Sequence, residues 1–103
     1  MKKLLITTAA LSLLSCSPAF ATDLDAKICV LHGVISGRLM ETRQAGIPLQ
    51  KTLEVINEHA PEFKDDLLEA YSSPRYSRKD NQKEAIVEFT NKKMLECMER
   101  IDK

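Results

Sequence analysis

Between Leu24 and Gly46 the residues Leu24, Ile28, Leu31, Ile35 and Leu39 recur at i, i+3/i+4, the spacing of one helical face. The other side of that helix carries small or soft residues instead of a polar face: Cys29, Gly33, Ser36, Gly37 and Met40. Gly33 and Gly37 each weaken a helix by about 1 kcal/mol relative to Ala. That cost is tolerable where a second backbone passes close by. The pattern predicts a first helix buried between neighbours, with its large aliphatic stripe in the core.

The remaining periodicity is also helical. Gly46 suits the C′ position of the first helix, and Pro48 starts the next. Leu49, Leu53, Ile56 and Ala60 form the stripe of a short second helix. Pro61 breaks it and opens a third, in which Phe63, Leu67, Ala70 and Tyr71 line up. Ser72 to Tyr76 reads as a loop, because Pro74 disfavours helix at Ser73. Ser77 with Asp80 three residues on resembles a capping box, opening a fourth helix that runs to about Ile101. Ile86, Phe89, Thr90, Met94, Cys97 and Ile101 are its expected inward residues, and Glu88/Lys92 and Glu96/Arg100 its i, i+4 ion pairs. No window alternates as a strand does.

The first residues belong to a different class of segment. Lys2 and Lys3, the apolar run Leu4 to Leu14 and the A-x-A site Ala19-Phe20-Ala21 together read as a secretory signal peptide, residues 1–21. The apolar run falls short of the roughly 20 residues a membrane-spanning helix needs. Cleavage after Ala21 leaves one domain, residues 22–103, with 13 basic residues in place of 15 against 15 acidic ones, a net charge of −2. A competing motif, Leu13-Leu14-Ser15-Cys16, looks like a lipobox and would make Cys16 an acylated N-terminus. Periplasmic or secreted soluble protein is the first expectation, and a lipoprotein anchored at Cys16 the alternative.

Export makes a disulfide the default for the remaining cysteines, Cys29 and Cys97. Such a bridge closes a loop of most of the domain, for about 4 kcal/mol in the chain-entropy model. It also fixes an arrangement, because bridged Cα atoms lie within about 7 Å. Cys29 is near the start of the first long helix and Cys97 near the end of the last, so the two run antiparallel. The two short helices then fit down and up between them. The expected fold is all-α, a disulfide-stapled up-down-up-down bundle of two long and two short helices.

In that bundle the turn at Ala45-Gly46-Ile47 and the loop at Ser72 to Tyr76 share the end away from the disulfide. Arg43, Gln44, Tyr71, Arg75, Tyr76 and Arg78 gather there, and Tyr and Arg on loops and helix ends suit a protein-binding or anion-binding surface. His32 and His59 are lone histidines without metal-ligand spacing. No CxxC or GxSxG context supports redox or hydrolytic chemistry, so neither a catalytic residue nor a cofactor is expected. Arg75, Arg78, Lys79 and Lys83 form a basic cluster, but the acidic total and export argue against nucleic acid. The expected partner is another protein.

The order Cys29, Arg43-Gln44-Ala45-Gly46, Ala70-Tyr71, Pro74, Tyr76-Ser77, Ala85-Ile86, Phe89 and Cys97 resembles a group of small exported bacterial and prophage-encoded proteins of unknown function. More remotely, size, export, helices and the cysteine pair are similar to the Rap/Tai type of periplasmic immunity proteins, which block peptidoglycan amidases delivered by type VI secretion. That resemblance implies an inhibitor or immunity factor acting on an envelope enzyme. The HdeA-type acid-stress chaperone, likewise helical with one disulfide, is an analogue in class and implies the alternative of a stress chaperone. The mature chain is expected to begin at Thr22. Intact-mass measurement on protein recovered from the envelope checks this, and a diacylated Cys16 terminus would instead establish the anchored form.

Overall fold

The computed structural model describes residues 24–102. The segment read as a signal peptide, with Cys16, lies outside them. Every element is helical. Helix α1 spans 24–44, α2 Leu49–His59, a single 3₁₀ turn Pro61–Phe63 leads into α3 Lys64–Ser72, and α4 spans Lys79–Asp102. Among the described residues no helix is long and apolar enough to cross a membrane.

Local chemistry sets the boundaries. At the end of α1 Gly46 has φ 81°, and the N–H groups of Gly46 and Ile47 donate to the carbonyls of Arg43 and Thr42 at 3.1 Å. This is a Schellman closure, with glycine at the left-handed position where a Cβ is disfavoured. Pro48, extended at φ −60° and ψ 141°, stands at the N-cap of α2. Ser73, extended before Pro74, ends α3. The expected capping box at Ser77 does not form. Helix α4 begins two residues later, at Lys79, and the Asp80 carboxylate is taken by Arg78 at 2.9 Å and the Asn81 N–H at 3.0 Å.

The bridge joins Cys29 to Cys97 with a Cα separation of 5.4 Å. Further along, a Cβ built on Gly33 would meet Thr90 O at 2.9 Å and Met94 Cβ at 3.1 Å, and one on Gly37 would run into the Thr90 hydroxyl oxygen. Partners on α4 fall in number as those on α1 rise, so the two helices are antiparallel. On the next side of α1, His32 and Ser36 meet Asp66, and Arg43 meets the Ser73 carbonyl. Those numbers rise together, so α3 runs parallel to α1. Helix α1 thus packs against both α4 and α3, and α4 also meets α3 directly through Lys92 and Lys93. The core is Leu39, Met40, Ile56, Phe63, Leu67, Ala70 and Phe89, with Ile35, Leu49, Leu53, Tyr71 and Ile86 packed around it.

The first helix corrects its expected orientation. Cys29, Gly33, Ser36, Gly37 and Met40 are buried, whereas Leu24 and Ile28 are 52% exposed and Leu31 60%. Only Ile35 and Leu39 of the large stripe reach the core. The cause is length. The 11 residues of α2 extend about 16 Å against about 31 Å for α1. Cover on that side ends where the Phe63 ring meets His32, centroids 4.8 Å apart. Ile101, expected inward, is 40% exposed. The ion pairs differ too: Lys92 reaches across to Glu69 on α3 at 2.7 Å, and Glu96 is held by Lys93 at 2.9 Å.

A methyl group at Gly33 pushes against the Thr90 backbone carbonyl, which cannot turn aside as a side chain does. Gly33→Ala is therefore expected to destabilise the protein by about 1–2 kcal/mol, because overpacking outweighs the gain in helix propensity. Urea unfolding of the oxidised protein measures this, and a variant as stable as wild type would mean that the α1–α4 contact is loose.

Candidate functional site

The end of the bundle away from the disulfide is built around Gln44, the last residue of α1, which is 2% exposed. Its Nε2 donates to the Pro74 carbonyl at 2.9 Å and lies 3.5 Å from Met40 Sδ, while its Oε1 accepts the Tyr76 N–H at 2.9 Å. One buried amide therefore satisfies two backbone groups of the 73–78 loop. Arg75 returns the contact, its Nε donating to the Gln44 carbonyl at 3.1 Å, and its guanidinium fills the space beside Gly46 where a Cβ would sit. Arg43 Nε donates to the Ser73 carbonyl at 3.0 Å, with its guanidinium 5.7 Å from the Tyr71 ring centre. Tyr71 closes the other side: its hydroxyl donates to the Ile47 carbonyl at 2.7 Å, and the hydroxyl oxygens of Thr42 and Thr52 each lie 3.2 Å away.

Five of the six residues singled out in the sequence, Arg43, Gln44, Tyr71, Arg75 and Tyr76, thus meet in one network. Arg78 stands apart, exposed and paired with Asp80. Within the network the parts differ. Gln44 and Tyr71 work from beneath, holding backbone, while Arg75 and Tyr76 are exposed, Tyr76 to 39%. Tyr76 forms a ridge between two open hollows. The first, about 300 Å³, is floored by Met40, Ala85 and Phe89 and edged by Glu69, Glu88 and Lys92. The second, about 250 Å³, lies among Tyr76, Asn81, Glu84, Ala85 and Glu88.

A second cluster went unnoticed in the sequence. Lys93, 5% exposed, sits between α3 and α4, where its ammonium meets Glu69 Oε1 at 2.5 Å, Glu96 at 2.9 Å and Asp66 Oδ1 at 3.3 Å. The other Asp66 oxygen accepts from the buried Ser36 hydroxyl at 2.7 Å and lies 3.0 Å from His32 Nε2. The available signal was positional: Phe89, Lys93 and Cys97 are successive i+4 neighbours, which puts a lysine on the buried stripe. Ser36 gives its hydrogen to the carboxylate and His32 meets the same oxygen. The three residues therefore tie α1 to α3, and the Ser36 hydroxyl has no access to solvent.

Among the described residues no group of three or more His, Cys, Asp or Glu is placed to hold a metal ion. His59 is exposed beside Glu58. No family model, no curated protein and no solved structure matches the chain.

The cluster's contribution to stability depends on pH. Burial is the largest influence on Asp66 and Glu69 and pushes both carboxyls up. Opposing partners outweigh it: the Ser36 hydroxyl, then Lys93, for Asp66, and Lys92 and Lys93 for Glu69. Both therefore fall below their ordinary values of 3.8 and 4.5. For Lys93 burial pushes down, but Glu69, Glu96 and Asp66 raise it above 10.5. Depressed carboxyls contribute stability that is present above their unfolded values and lost as pH falls through the folded ones. A raised lysine contributes stability that is complete below its unfolded value and lost as pH climbs through the folded one. These groups' contribution should therefore be flat between about pH 4.5 and 10.5 and decline outside that window. Lys93→Ala should cost about 3 kcal/mol at pH 7, the low end for breaking a buried pair, because Glu69 keeps Lys92 and some water. Chemical denaturation across pH measures both effects.

Proposed function

We propose that this chain is a small exported domain that acts by binding another protein through the end carrying the 45–47 turn and the 73–78 loop. The observation that carries this reading is the construction of that end. A loop with no regular structure is held by a buried glutamine and two arginines, and the adjoining turn by a tyrosine, which presents Arg75 at a fixed position and Tyr76 beside open hollows. A preformed surface loses little conformational entropy on association, and Tyr and Arg anchor such surfaces. The signal-like segment and the disulfide support a periplasmic or secreted location. The pairwise helix directions fit an up-down-up-down order. The class resemblance to Rap/Tai-type immunity proteins supplies the kind of partner, an envelope-acting enzyme that this protein would inhibit. Catalysis has no support from the buried Ser36–Asp66–His32 contacts, so the chain is read as a binder and not an enzyme, with no cofactor.

A second reading, a periplasmic stress chaperone of the HdeA class, is favoured by the exposed Leu24, Ile28 and Leu31 on α1, with Val30 and Val34 beside them. Unfolded clients adhere to such apolar surface. On this reading binding rises in acid, below the pH at which Asp66 and Glu69 hold the helices together.

The Arg75→Ala/Tyr76→Ala variant separates the two. It is expected to keep wild-type unfolding within about 1 kcal/mol yet lose a specific partner recovered from envelope extract at pH 7. If no partner is recovered, and client aggregation is suppressed at pH 2–3 but not at pH 7, the chaperone reading replaces the binder.

A further inference from the structure

The two hollows flanking Tyr76 share Tyr76, Ala85 and Glu88 as common walls, so a partner seated on this ridge meets both. Their charges are unequal. Lys92, the one cation at the first hollow, is already paired with Glu69 at 2.7 Å, and Glu69 is further held by Lys93. Glu84 and Glu88, one turn apart on α4, have neither an ion pair nor a side-chain hydrogen bond among the described residues. The second hollow faces two uncompensated carboxylates with only the neutral Asn81 beside them. Ala85 and the exposed Tyr76 ring line both hollows, and the apolar Phe89 and Met40 line the first.

That combination has a chemical complement. A long side chain with an apolar stem and a cationic head lays its stem along Ala85 and Phe89 and its head against the free carboxylates. Arginine fits better than lysine. Its planar guanidinium stacks on a tyrosine face and offers a fork of donors to a carboxylate. Each hollow is small and open, at or below the lower size of pockets that engulf a ligand, which suits one side chain delivered by a larger surface.

We propose that the Tyr76 ridge with Glu84 and Glu88 is the anchor site for an arginine side chain projecting from a loop of the partner protein. This rests on the protein-binding reading of this end and adds to it the partner's chemistry. It also accounts for a binding end rich in arginine having an acidic flank: Arg75 and Arg43 are engaged with the backbone carbonyls of Gln44 and Ser73, and the carboxylates left free are charges available for recognition.

The test is a ¹⁵N amide titration of the oxidised protein with the capped peptide acetyl-Gly-Ser-Arg-Ser-Gly-amide, against counterparts carrying citrulline or glutamate in place of the arginine. Wild type should show saturable shifts at Tyr76, Ala85 and Glu88 with the arginine peptide, weakening as salt is raised. The citrulline peptide, and the Glu84→Gln/Glu88→Gln variant with the arginine peptide, should each bind about tenfold more weakly, the loss of one charge-assisted contact. Both glutamates are exposed and unpartnered, so the variant keeps the fold, which its amide spectrum checks directly. Equal binding of the citrulline peptide, or undiminished binding by the variant, overturns the arginine site and leaves the protein-binding end standing. If no peptide moves these amides while Arg75→Ala/Tyr76→Ala still loses its partner, the arginine is again wrong and the end is right. If no peptide binds and no partner is lost, both fall.

Discussion

Helices α1 and α4 come together along a strip where α1 has almost no side chains. At Gly33 the Thr90 carbonyl and Met94 occupy the space a Cβ would take, and at Gly37 the Thr90 hydroxyl does. Glycine in a helix costs stability, and here the cost is offset by van der Waals contact between surfaces that a larger residue would hold apart. The Cys29–Cys97 bridge lies at the end of the same strip, so covalent and packing constraints act on one line. The position of α4 against α1 then determines where Phe89 and Lys93 meet α3, and so where the core and the charged cluster can form.

Lys93 shows how much charge so small a core holds. Its ammonium meets three carboxylates, one of which is shared with Ser36 and His32. A buried ammonium is tolerable only when surrounded in this way, and the carboxylates in turn depend on it. The cluster links α1, α3 and α4 by directional contacts, whereas aliphatic packing would allow sliding.

At the opposite end the same principle is applied to backbone. Residues 73–78 have no ladder of their own, so their polar groups need partners, and Gln44, Arg43 and Gln82 supply or receive them. The consequence for function is that side chains resembling recognition residues in the sequence divide into two groups. Gln44, Tyr71 and Arg43 build the surface, and Tyr76 with its neighbours on α4 forms what a partner would touch.

Periodicity, prolines and one glycine determined the number and type of the helices and most of their limits, because those depend on a few residues of local sequence: Gly46 closing α1, Pro61 ending α2, and Pro74 holding Ser73 extended; the 3₁₀ turn after Pro61 and the start of α4 at Lys79 were not legible there. Cys29 and Cys97, one on each long helix, made the bridge legible, and the bridge sets α1 and α4 against each other. Tertiary structure decided which side of α1 faces inward. Both sides were apolar enough for burial, and the choice rested on α2 being too short to cover Leu24, Ile28 and Leu31 while α4 required the glycine side. It also decided that Lys93 is interior and that Glu84 and Glu88 are left without partners. Whether a charge is paired depends on what other helices bring within a few ångströms, and no local pattern encodes that distance.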